Sequence, residues 1–183
     1  MITGRWMFMS FVVSTMLGAP ALAMADEELK AKLRGFQEVP AISTTGSGEF
    51  QGKINDDETS IEYKLSYSGL EGGNVLFAHI HLGQRSVNGG VVVFLCSNSP
   101  VPPGTPLPPA CPTPSGTVTG TVTASNVTNL AAGQGITSVE PTRFEELLRA
   151  IRHGVAYANV HTGSVSPPSG FPGGEIRGQI REE

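Results

Sequence analysis

The stretch SIEYKLSYSGL, residues 60–70, alternates: Ile61, Tyr63, Leu65 and Tyr67 fall on one face, Glu62, Lys64 and Ser66 on the other. A period of two describes a half-buried β-strand and excludes an amphipathic helix, whose apolar positions recur every three to four residues. The same alternation appears in GEFQGKIND (48–56), in SGTVTGTVTA (115–124) and around LFAHIHLG (76–83), where a strand is expected over 75–82. VVVFLC (91–96) is a continuous apolar run that suits a buried strand, and VAYANVHT (155–162) and GEIRGQIRE (174–182) read as the final strands. Turn-forming DDET, EGGN and QRSVNGG separate them. One helix is expected, near 142–153 within PTRFEELLRAIRHG. Pro141 or Thr142 starts it, Phe144, Leu147, Leu148 and Ile151 make its apolar stripe, His153 sits in its last turn, and Gly154 caps it. Seven or eight short strands with one helix predict an all-β fold, a Greek-key antiparallel β-sandwich or a small barrel.

The N-terminal 25 residues read differently. Arg5 precedes an apolar run from Trp6 to Leu17, Gly18 and Pro20 break it, and Ala23-Met24-Ala25 fits a signal-peptide cleavage pattern. Ala23 is a second cut site, and a retained anchor is the alternative to cleavage. The expected organisation is therefore a signal peptide over 1–25 and one β domain over 26–183, exported to the periplasm or secreted, with no membrane span in the mature chain. That mature chain sets 11 basic residues against 16 acidic ones, which argues against a nucleic-acid partner. The only cysteines, Cys96 and Cys111, read as a disulfide after export, with two free thiols as the alternative. Residues 97–114, pinned by that disulfide, hold 8 of the 14 prolines and read as a surface loop that cannot be a central strand. Asn126-Val127-Thr128 is a glycosylation sequon that acts only in a host that glycosylates.

Only four histidines occur, and two of them, His79 and His81, share one strand face with Phe77. Imidazoles about 7 Å apart at their Cβ atoms can reach one metal ion held between them. His161, with Tyr157 and Asn159 on its face, supplies the third ligand a mononuclear site needs. Neutral imidazoles favour copper or zinc over calcium or magnesium, with copper as the first expectation and zinc as the alternative. Asn159 and Glu175 are candidates to orient the rings. Arg177 shares a face with Glu175: the two form a solvated ion pair on an edge strand, or Arg177 serves as a catalytic, anion-attracting group beside the histidines. His153 is assigned to the helix dipole, and Glu38 to a turn or hydrogen-bond role. The non-metal alternative makes the three histidines hydrogen-bonding core residues of a protein-binding module.

LRGFQEVP (33–40), AHIHLG (78–83), HGVAYANVHT (153–162) and GGEIRGQI (173–180), in this order, resemble the CHRD domain, a family named for the extracellular protein chordin. The Pro-rich disulfide loop looks like an insertion beyond the common pattern. The resemblance implies an extracellular β domain of the bacterial, exported, single-domain kind. AHIHLG is also similar to the His-x-His strand of copper–zinc superoxide dismutases, which implies a superoxide dismutase-like activity on a fold-level analogy.

Overall fold

The computed structural model of the chain describes Met1 and residues 27–137, 142–163 and 170–183. The expected signal peptide and the start of the helix at Pro141 lie outside these residues.

Among the described residues nine strands form: β1 (Glu27–Arg34), β2 (Ser47–Ile54), β3 (Ser60–Ser68), β4 (Asn74–Leu82), β5 (Gly90–Ser97), β6 (Gly116–Thr123), β7 (Ala156–Gly163), β8 (Ile176–Gln179) and β9 (Arg181–Glu182). The helix α1 spans Thr142–Arg152. Every pairing is antiparallel, in the order β5-β4-β7-β8-β1-β2-β3-β6. The expected final strand divides at Ile180 into β8 and β9, and both run along β1.

The sheet curls until its ends meet, giving a nearly closed barrel. A ladder does not close the seam between β5 and β6. It is closed by a bridge from Val93 to Val127, by Thr128 N donating to Val92 O at 2.7 Å, and by Tyr63 Oη donating to Leu95 O at 2.5 Å. Around the wall, β3, β6, β5 and β4 follow one another as a Greek key. The Cys96–Cys111 disulfide is formed at the end of β5. Asn98 holds the base of the proline loop, donating to Val75 O and Cys111 O at 2.9 Å each.

Alternation explains the interior. Leu29 and Leu33 of β1, Phe50 of β2, Ile61 and Leu65 of β3, Ile80 of β4 and Ile176 of β8 point inward and are fully buried. Each such side chain contributes about 1.5–3 kcal/mol. Phe144, Leu147, Leu148 and Ile151 of α1 join the same core. Arg152 ties the helix to the ends of the strands, pairing with Glu27 at 2.7 Å and Glu58 at 2.8 Å. Gly154 takes φ 65°, the left-handed cap read from the sequence. No helix among the described residues is long and apolar enough to cross a membrane.

One part of the wall departs from simple alternation. Ala156 to Thr162 of β7 are buried at every position. Ala156, Ala158 and Val160 face the core, while Tyr157, Asn159 and His161 face outward under a cover of loops. These loops are residues 35–39, 83–89 and 170–174. Asn88 Nδ2 donates to Val39 O at 3.0 Å and joins two of them.

Candidate metal centre

The outward faces of β4, β7 and β8 form a grid set by register. His79 lies opposite Phe94 on one side and Asn159 on the other, and Asn159 lies opposite Arg177. His81 pairs with Tyr157 and Phe77 with His161. His161 is thus a diagonal neighbour of His79, within reach of a long side chain. Irregularities in the β4–β5 pairing fall at Ala78/His79 and Ile80/His81, the sort of local kink that re-aims side chains. The ring centroids of His79 and His161 are 5.0 Å apart, of His79 and His81 5.3 Å, and of His81 and His161 6.0 Å. One nitrogen from each of the three rings lies within 4.8 Å of the other two.

Hydrogen bonding fixes which nitrogens converge. A carbonyl only accepts, so Nδ1–H of His81 donates to Gly89 O at 3.0 Å and Nδ1–H of His161 to Pro172 O at 2.9 Å. Each leaves a bare lone pair on Nε2. Those two Nε2 atoms, and both ring nitrogens of His79, are buried with no hydrogen-bond partner. Buried polar atoms without partners cost about 1–3 kcal/mol apiece, so the cluster is an expensive arrangement for packing alone. Burial pushes all three rings well below the ordinary histidine pKa, His79 to about 2 with help from the neighbouring His161 and His81, and His81 and His161 to about 4. The carbonyls of Gly89 and Pro172 act in the opposite direction. All three rings are therefore neutral at pH 7, the form that ligates metal. Three neutral imidazoles with free, convergent lone pairs fit a transition-metal ion.

A match to the CHRD domain family spans residues 29–180, and these include all three histidines. The chain belongs to the CHRD family. No curated protein matches it.

Aromatic rings wall the cluster of this CHRD domain. Phe77 stacks on His79 at 4.6 Å and tilts against His161 at 4.8 Å, and Phe94 meets His79 edge-on at 4.4 Å. Tyr157 lies flat on His81, 4.7 Å away and 3° from parallel. On the far side of Tyr157, the Arg177 guanidinium sits 3.4 Å from the ring centroid. Arg177 is 2 % exposed and donates to Gln84 O and Val87 O at 2.9 Å each and to Asn88 Oδ1 at 3.3 Å. It therefore neither lies on an edge nor pairs with Glu175 in solvent: β8 runs between β7 and β1. Its guanidinium fastens the 83–89 loop. That loop carries Gly89, whose carbonyl orients His81 and whose N–H donates to Tyr157 Oη at 3.2 Å. A Cβ at Gly89 would lie 1.6 Å from Leu82 O, so only glycine lets the loop pass there.

The expected ring-orienting residues act elsewhere. Glu175, fully buried, accepts from Thr44 Oγ1, Thr162 Oγ1 and the backbone N–H groups of Glu71 and Gly72. Thr162 alternates to the opposite face of β7 from His161. Asn159 Nδ2 donates to Glu38 Oε1 at 2.5 Å and to Ile176 O at 3.3 Å. Glu38 is a buried member of the outward layer, and burial pushes its carboxyl up to about 7 against the pull of Arg177 and Asn159. Gly174, at φ 124°, leaves room for it: a Cβ there would lie 2.7 Å from Glu38 Oε1. His153 stands apart, one residue past the end of α1, donating through Nδ1 to Arg149 O at 2.8 Å.

Proposed function

We propose that this CHRD protein works outside the cytosol and holds one metal ion, copper ahead of zinc, between Nε2 of His81, Nε2 of His161 and one ring nitrogen of His79. The observation that carries the reading is the convergence of three neutral, buried imidazoles whose inward nitrogens lack any protein partner. The Cys96–Cys111 disulfide supports an oxidising compartment, as does the export signal read at residues 1–25. Bound copper would supply one-electron redox chemistry. The protein's part is to fix two ring tautomers through Gly89 and Pro172, to keep the rings neutral, and to surround them with Phe77, Phe94 and Tyr157.

The geometry supports copper binding ahead of superoxide dismutation. Dismutation asks for a cation free to draw in an anion, and the Arg177 guanidinium is engaged by three loop oxygens and a tyrosine ring. The test of binding is metal content after loading the purified protein with copper or zinc and removing the excess. One equivalent is expected for the wild type and none for His79→Ala/His81→Ala. Equal uptake by the two would remove the proposal. A superoxide assay on the loaded protein tests the further activity. The rival reading, a non-enzymatic protein-binding module, predicts no tight uptake and a partner retained through residues 97–114.

A further inference from the structure

Building on the three-histidine reading, we infer that the site is matched to a monovalent ion: it selects copper(I) over copper(II) and zinc(II). The argument is one of charge and access. His79, His81 and His161 bring no negative charge, and among the described residues no carboxylate or thiolate joins them in the cluster. In the idealised solvation picture the cost of burying an ion grows with the square of its charge, so about fourfold from +1 to +2. Divalent ions offset that cost with anionic ligands or with a water-derived fourth ligand at an open position. Here the unpartnered ring nitrogens are out of contact with solvent, and the apolar rings of Phe77 and Phe94 pack against His79. Copper(II) also prefers a tetragonal set of nitrogen and oxygen donors, and the cluster offers a triangle of nitrogens.

The surrounding charge points the same way. The Arg177 guanidinium is stacked behind Tyr157, which is itself stacked on His81. The carboxyl that shares this buried layer, Glu38, is engaged by Asn159 rather than by the three rings, and burial raises its pKa, disfavouring the charged form. The nearest fixed charge behind the rings is thus the Arg177 cation, which disfavours a second positive charge on the ion.

The experiment titrates the purified protein with copper(I), copper(II) and zinc(II), each against a competing chelator of known affinity, with electrochemistry on the copper-loaded form. Copper(I) is expected to bind at least ~100-fold more tightly than copper(II), equal to a reduction potential raised by ~120 mV at ~59 mV per tenfold. Arg177→Gln is expected to narrow the ratio about tenfold, while Arg177→Lys, which keeps the charge, holds it near the wild-type value. Copper(II) or zinc(II) binding as tightly as copper(I) would overturn the inference and leave the three-histidine site standing. No uptake of any of the three ions would overturn the site with it. An unchanged ratio in Arg177→Gln would defeat the charge argument.

Discussion

The two halves of the barrel wall obey one rule of alternation and meet opposite fates. In β1, β2 and β3 the outward residues, among them Lys30, Glu49, Lys64 and Glu62, stand in solvent. Their ion pairs are open ones, such as Lys30 to Glu49 at 3.5 Å and to Glu183 at 3.2 Å. In β4, β7 and β8 the outward residues include His79, His81, Tyr157, Asn159, His161 and Arg177, and these six are buried. The difference comes from what lies over the strands, because three loops cover one half and none of them covers the other. A polar group in solvent costs little whether paired or not. Under a roof each must find a partner, and the ring nitrogens that find none mark the functional candidate.

Acid should separate the halves most strongly. In the metal-free protein the three histidines titrate at or below about 4 when folded, against 6.5 when exposed. Between those values only the unfolded chain binds their protons, so stability is full above pH 6.5 and is lost as pH falls through about 4. Each histidine contributes about 1.4 kcal/mol per pH unit in that window. Glu38, raised to about 7 from 4.5, has the opposite sign: its contribution is present at low pH and lost as pH rises through about 7. One group against three leaves a net loss on acidification. Urea denaturation across pH 4–7 checks this, and a flat profile would break the comparison. Next in size, Arg177→Ala leaves three loop acceptors without their donor and should cost about 3–5 kcal/mol in the same assay. Replacing both Cys96 and Cys111 by serine should cost about 3 kcal/mol, since the bridge closes a separation of 15 residues.

Smaller and opposite in sign, His79→Leu should stabilise the metal-free protein by about 1–3 kcal/mol, because it removes two unpartnered buried nitrogens. It should also abolish any rise in melting temperature on adding copper. A destabilised His79→Leu would mean that the ring is a packing residue. Least of all, Lys64→Ala on the bare half should change stability by no more than about 0.5 kcal/mol.

Strand periodicity made much of this legible. It put His79 and His81 on one face and, through the 84–90 turn, set His79 opposite Val93 or Phe94; the pairing is with Phe94. It could not put His161 beside them, because that needs the register between β4 and β7, strands about 80 residues apart along the chain whose turn chemistry says nothing about their pairing. The orienting groups were out of reach for another reason: Gly89 and Pro172 act through backbone carbonyls, which carry no side-chain signature. Asn159 and Glu175 are the residue types that orient ligands elsewhere, and here they serve Glu38 and a turn. β1 was missed although its signal was present. Leu29, Ala31 and Leu33 alternate inward against Glu28, Lys30 and Lys32, a pattern easily taken for a charged leader to the fold.

The seam between β5 and β6 has a consequence for life in a crowded compartment. An open sheet edge offers a row of free amides and carbonyls on which a second chain can grow a strand. Here the β5 edge is occupied by Val127, Thr128 and Pro109, and Tyr67 Oη donates to Pro112 O at 2.6 Å beside it. The prolines that follow have no amide hydrogen to offer, and the disulfide keeps them in place. The proline loop works as a guard rail: it denies neighbouring copies the template from which sheet-to-sheet aggregation begins.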